Sequence, residues 1–168
     1  MSTMKILTVF AFVCALMILT RAAEKPKRSC PSGWSRYRSR CFHYVPREMT
    51  WAQAERNCQS IGSHLASVHT AKEYYQIKNI IRIRTHEYPE TWIGGSDAQE
   101  ESFWFWIDGS PFKFQFWCKG EPNNTSGKQH CLAINYGGNK CWDDRQCDHH
   151  LPSVCSKRII TSSVPELK

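Results

Sequence analysis

Two stretches of the chain repeat their apolar residues at helical spacing. From Thr50, the residues Trp51, Ala54 and Cys58 share one face, and Gly62 marks a stop. Thr50 and Gln53 stand in capping-box register, where hydroxyl and side-chain amide each satisfy a backbone N–H of the first turn. A second box, Thr70 with Glu73, opens a stripe of Tyr74, Ile77, Ile80, Ile81 and Arg84 one helix face wide, read as core packing.

Elsewhere the apolar runs are short, aromatic and β-branched. Arg40–Val45, Thr91–Gly94, Phe103–Ile107, Cys131–Tyr136, Trp142 and Ser153–Cys155 read as strands, with turn signals at Asp108-Gly109 and Gly137-Gly138. Helices come early and strands mostly late, which predicts an α+β fold: two helices with antiparallel sheet. Between Ile107 and Leu132 little regular structure is signalled, and a loop that long in a compact domain is functional or tied down. The dense aromatics from Trp104 to Trp117 are read as core rather than as a sugar-stacking platform.

The head of the chain sets the compartment. Lys5, an apolar run from Ile6 to Leu19 and the small pair Ala22-Ala23 have the order of a secretory signal peptide. The run is shorter than the roughly 20 residues that span a bilayer. The expected division is a signal peptide over 1–22, a basic arm over 23–29, one domain over 30–157 and a flexible tail over 158–168. The product is expected to be secreted and not membrane-spanning. Cleavage removes Cys14 and leaves eight of the nine cysteines, an even number that in an exported chain reads as four disulfides. A zinc site at Cys141, Cys147, His149 and His150 is the competing reading, but it lacks a C-x₂-C pair. The net charge of +7 falls to about +5 with the leader. The early excess (Lys25, Lys27, Arg28, Arg36, Arg38, Arg40) is read as a solvated arm, and nucleic acid is discounted as a partner for an exported protein. No Ser-His-Asp or Cys-His arrangement and no H-E-x-x-H spacing announces itself, so no enzyme is expected.

Short motifs then occur in register along nearly all of the chain. They are Cys30-Pro31-Ser32-Gly33-Trp34, Cys41-Phe42, Trp51–Cys58, Leu65–His69, Trp92-Ile93-Gly94-Gly95, Glu121-Pro122-Asn123 and Cys141–Asp144, closed by Val154-Cys155. Together the chain resembles a long-form C-type lectin-like domain, and within that family the small secreted fish lectins and type II antifreeze proteins. The resemblance implies the bridges Cys30–Cys41, Cys58–Cys155 and Cys131–Cys147, leaving Cys118 to pair with Cys141 as in the antifreeze branch. It implies a Ca²⁺ site at Glu121, Asn123, Gln129, Asp143 and Asp144, with Pro122 in the cis form. Those side chains carry the carboxylate and amide oxygens that calcium prefers.

Two positions depart from the family pattern, which has glutamate where Gln129 stands and asparagine where Asp143 stands. The exchange keeps three carboxylates, Glu121, Asp143 and Asp144. It also keeps one amide donor and one carboxylate acceptor in each sugar-binding pair, Glu121 with Asn123 and Gln129 with Asp143. Glu-Pro-Asn implies mannose-type sugars, and hence a secreted calcium-dependent lectin, plausible in innate recognition. Ice binding is the first alternative, although Ala98 and His130 stand where that branch has a further cysteine pair. A calcium-independent domain that binds a protein or an anionic surface is the second. Asp97, Glu100 and Glu101 are read as a solvated acidic loop, and Asn123 and Asn124 both begin glycosylation acceptor sequences.

Overall fold

A computed structural model describes residues Ser29–Ile159. The expected signal peptide and most of the expected arm and tail lie outside the described residues, and Arg158, expected to begin the tail, instead ends the last strand.

The chain order is β1 (Ser35–Tyr37), β2 (Arg40–Met49), α1 (Trp51–Ser60), β3 (His64–Leu65), α2 (Ala71–Thr85), β4 (Thr91–Ser96), β5 (Phe105–Trp106), β6 (Gln129–Tyr136), β7 (Cys141–Gln146) and β8 (Leu151–Arg158). The strands form one sheet in the order β1-β2-β8-β4-β6-β7, with β3 on β8 and β5 on β4. The sheet is mixed, where the sequence suggested antiparallel pairing alone. β4 runs parallel to β8 at Trp92↔Ser153. Parallel neighbours need a long connection, and the whole stretch from β5 to β7 lies between these two. The aromatic run expected as a strand from Phe103 to Ile107 pairs only at Phe105–Trp106.

Both helices start where their caps place them. In α1 the capping box is complete. In α2 only half of it forms: the Thr70 hydroxyl accepts from Glu73 N, while Glu73 turns away to accept from His69 N at 2.8 Å and to pair with Arg40 at 2.8 Å. A buried guanidinium within reach is a stronger partner for that carboxylate than a backbone amide. Tyr74, Ile77, Ile80 and Ile81 face the core as expected, and Arg84 is exposed.

The larger apolar cluster packs α2 against Phe42, Ile93, Leu132, Ile134 and Trp142. The smaller packs α1 through Ala54 and Cys58 against Leu65 and Trp92. Two indoles are pinned as well as packed: Trp92 Nε1 donates to Met49 O and Trp51 Nε1 to Ile93 O, both at 2.9 Å. Gly94 is required by space: a Cβ there would lie 2.7 Å from Leu65 O. The aromatic run is divided. Trp106 is buried, Trp104, Phe112, Phe114, Phe116 and Trp117 pack onto the core around Trp142, and Phe103 and Phe105 are exposed.

All four expected disulfides are present: Cys30–Cys41, Cys58–Cys155, Cys118–Cys141 and Cys131–Cys147. The zinc alternative fails because Cys141 and Cys147 are both bridged and His149 and His150 are exposed. Cys58–Cys155 spans 97 residues. In the loop-entropy account a closure of that length contributes about 4–5 kcal/mol by restricting the unfolded chain.

Candidate functional site

The long segment between β5 and β6 is fastened to β7. Cys118 N donates to Trp142 O and Trp142 N to Phe116 O, both at 2.9 Å, and the Cys118–Cys141 disulfide closes the same junction. Just beyond it the Glu121–Pro122 peptide is cis. The loop then folds over Asp144, whose carboxylate accepts from Asn123 N at 3.0 Å and Asn124 N at 2.7 Å. A fully buried carboxylate taking two backbone N–H groups fixes the path of the loop.

The five residues picked from the sequence meet here. Carboxylate oxygens of Glu121, Asp143 and Asp144 lie within 4.8 Å of one another. Asn123 and Gln129 join through Thr125, whose backbone N–H is shared between Asn123 Oδ1 at 2.9 Å and Gln129 Oε1 at 2.6 Å. Asn124 is held at both ends of its side chain, donating to Glu101 and accepting from Gln129 N at 2.9 Å.

Three carboxylates in so small a volume repel, and burial removes the water that would screen them. Asp143 is pushed up to about 7, chiefly by burial; Arg145 opposes the shift, and Glu121 and Asp144 add to it. Glu121 is raised as well, by burial first and then by Asp144. Its Oε2 is buried and makes no hydrogen bond. An orphaned buried oxygen beside two more carboxylates suits a hard divalent cation, and the amide oxygens of Asn123 and Gln129, which both accept from Thr125 N, lie in the same loop, so these residues fit calcium.

Three neighbours of the site were not legible in the chain. Arg145 contacts Asp143 Oδ2 through Nε at 2.9 Å, pairs also with Glu90, and lies 5.1 Å from the centroid of the Tyr136 ring. Glu90 is distant in sequence and comes close only because β4 and β7 flank β6. Thr125 gave no signal either, since its contribution is a backbone N–H. The acidic stretch needs correcting as well. Asp97 is not solvated: it is buried, accepts from Ser102 N at 2.9 Å and meets His130 Nδ1 at 3.1 Å. The segment folds back on β6 and carries Asp97 inward, where His130 and a backbone amide replace water.

Comparison with known proteins agrees with this architecture. The family model described as "Lectin C-type domain" matches residues 47–157. Ladderlectin of Oncorhynchus mykiss is 42% identical over 138 residues, 82% of this chain and 73% of that protein. The galactose-specific lectin nattectin of Thalassophryne nattereri is 39% identical over 90% of this chain and 96% of its own. A type-2 ice-structuring protein of Osmerus mordax is 36% identical, covering 92% and 93% respectively. Among solved structures, herring type II antifreeze protein superposes with a TM-score of 0.73 at 34% identity, over 78% of this chain and all of that one. A calcium-dependent type II antifreeze protein in its calcium-free form gives 0.71 at 35% identity, over 76% and 99%. A calcium-independent one gives 0.71 at 37%, over 79% and 96%. The same scaffold thus serves sugar-binding and ice-structuring relatives, with and without calcium. The chain belongs to the C-type lectin domain family.

Proposed function

We propose that the protein is a secreted, calcium-dependent carbohydrate-binding protein with a preference for mannose-type sugars. The observation that carries this reading is the buried, unpartnered Glu121 Oε2 beside the carboxylates of Asp143 and Asp144. Glu121, Asn123, Gln129, Asp143 and Asp144 would hold the ion. Bound there, calcium supplies a Lewis-acidic centre for two vicinal sugar hydroxyls. This chain's own contribution is directional: each hydroxyl needs a donor and an acceptor, and the pairs Glu121 with Asn123 and Gln129 with Asp143 each offer an amide NH₂ and a carboxylate. The swap of amide and acid at 129 and 143 therefore leaves both pairs functional.

The mannose preference rests on Glu121-Pro122-Asn123, and two relatives carry galactose or lactose in their names. Parallel columns decide between them. The disulfide-intact protein should be retained on immobilised mannose in calcium, pass a galactose column, and elute with chelator. Retention on galactose alone would overturn the preference. Passage through both would overturn sugar binding itself. Ice binding is the second reading, favoured by antifreeze relatives at 34–36% identity over about nine-tenths of this chain. Thermal hysteresis in a protein that passes both columns would establish it.

A further inference from the structure

A cavity of about 770 Å³ opens on the far side of β8 from the carboxylate cluster and shares no residue with it. Its walls come from the ends of β2 and β8, the His64 strand, His69 and the turn at Asp108–Pro111. Its volume is that of a typical small-ligand site.

The charge on these walls is unbalanced. Arg40 and Arg158 stand directly opposite each other across the β2–β8 ladder. Like charges in that position destabilise a sheet unless something answers them. Arg40 is answered, by Glu73 at 2.8 Å and Asp108 at 3.9 Å. Arg158 is not: among the described residues no carboxylate lies within ion-pair distance of it. Lys157, the next residue on β8, contacts only the Ile61 carbonyl at 3.1 Å and the face of Trp34, 4.3 Å from the ring centroid. Lys157 alternates to the face of β8 that carries Trp34, so Arg158 is the cation left without a counter-ion on the Arg40 face, and Asp108, the sole acid on the cavity wall, is already engaged with Ser67, Ser110 and Arg40. The pKa of the His69 imidazole is lowered, by burial first and then by Arg40; Glu73 and Asp108 oppose the shift, and Arg158 adds to it.

We propose that this cleft binds the sulfate or phosphate group of an acidic saccharide, independently of calcium, with Arg158 as the principal contact. A guanidinium fork matches the oxygens of a tetrahedral oxyanion. The cavity's polar rim, with Ser39 and Ser110, suits a sugar ring carrying that group.

The test uses the full secreted chain in chelator at about 0.15 M salt, where long-range attraction is screened within about 8 Å. The probes are a heparin-derived tetrasaccharide, its desulfated form and mannose 6-phosphate, titrated by calorimetry. Binding is expected for the charged probes and not for the desulfated one, and their relative affinities separate sulfate from phosphate. Arg158→Ser should weaken it by about tenfold, the loss of one charge-assisted contact. Arg84→Ser removes the same charge from an exposed face of α2 and should leave it unchanged. Asp144→Asn, which damages the calcium site, should also leave it unchanged, so this proposal and the calcium-dependent one fail separately. The ring resonances of His69 should shift with the probe. Equal losses in Arg158→Ser and Arg84→Ser, a silent His69, or no binding by either charged probe would each overturn the proposal.

Discussion

Replacing Arg40 with methionine removes the cation at the junction of β2, β8 and α2. The guanidinium is nearly buried, with a side-chain exposure of 12% against 7% for Glu73. It donates to Glu73 Oε1 at 2.8 Å, to Ser67 O at 3.0 Å, to Ser67 Oγ at 2.9 Å and to Ser156 Oγ at 2.7 Å. Methionine preserves the contact with Phe42, over which the guanidinium now lies at 4.9 Å. The cost is therefore electrostatic: Glu73 is left buried with only the His69 amide to hold it. Breaking one side of a buried pair costs about 3–5 kcal/mol. In a domain of this size that lowers Tm by about 10–20 °C. Removing the charge from both sides, as Arg40→Met with Glu73→Gln, should recover most of the loss, because two neutral groups carry no desolvation penalty for an unpaired ion. Thermal and denaturant unfolding of the disulfide-intact domain, followed by circular dichroism as a double-mutant cycle, supplies the numbers. A single-variant loss below about 1 kcal/mol, or a double variant as unstable as the sum of the singles, would refute the assignment of Arg40 as the counter-ion on which Glu73 depends.

Three further outcomes follow from the carboxylate cluster and its tether. Asp143 titrates near 7 in the folded domain and near 3.8 unfolded, so between those values the folded state binds the extra proton. The calcium-free domain should therefore lose stability, relative to Asp143→Asn, as pH rises from about 4 to about 7. Tm measured in chelator across that range checks the sign, and a flat difference would count against it. Arg145→Met deletes a positive charge beside Asp143. Its repulsion of a divalent ion about 6 Å away is on the order of 1.4 kcal/mol even with full aqueous screening, so calcium should bind at least about tenfold tighter at a pH high enough to ionise Asp143 in both proteins, well above 7 in the variant because Arg145 itself holds that carboxyl down. Weaker binding by a folded variant would show that Arg145 orients the site instead. Cys118→Ser with Cys141→Ser opens a closure of 23 residues, worth about 3.4 kcal/mol in the loop-entropy account, and should reduce the denaturant midpoint accordingly.

The helices were legible because their signals are local. Thr50 with Gln53 and Thr70 with Glu73 mark starts that need no tertiary information, and the Tyr74–Ile81 stripe names its own buried face. The bridges were legible through family resemblance, as was the choice of Glu121, Asn123, Gln129, Asp143 and Asp144 as candidates, since nothing in the spacing of Glu121 and Asp143 alone brings them together. What escaped was set by tertiary competition. Glu73 abandoned its capping partner for Arg40, thirty-three residues away in sequence. Asp97 looked solvated until the fold supplied His130. Arg145 and Glu90 became neighbours of the site only through the strand order of the sheet.

The central claim is that Glu121, Asn123, Gln129, Asp143 and Asp144 form a working calcium site despite the exchange of acid and amide at 129 and 143. Calorimetric titration of calcium at pH 8 into the wild type, Glu121→Gln with Asp143→Asn, and Glu101→Gln tests it most directly. Calcium should bind the wild type, fail to bind the double variant, and still bind Glu101→Gln, whose carboxylate belongs to the neighbouring Asp97–His130 cluster. No heat with the wild type, or heat that survives in the double variant and disappears in Glu101→Gln, would contradict the claim.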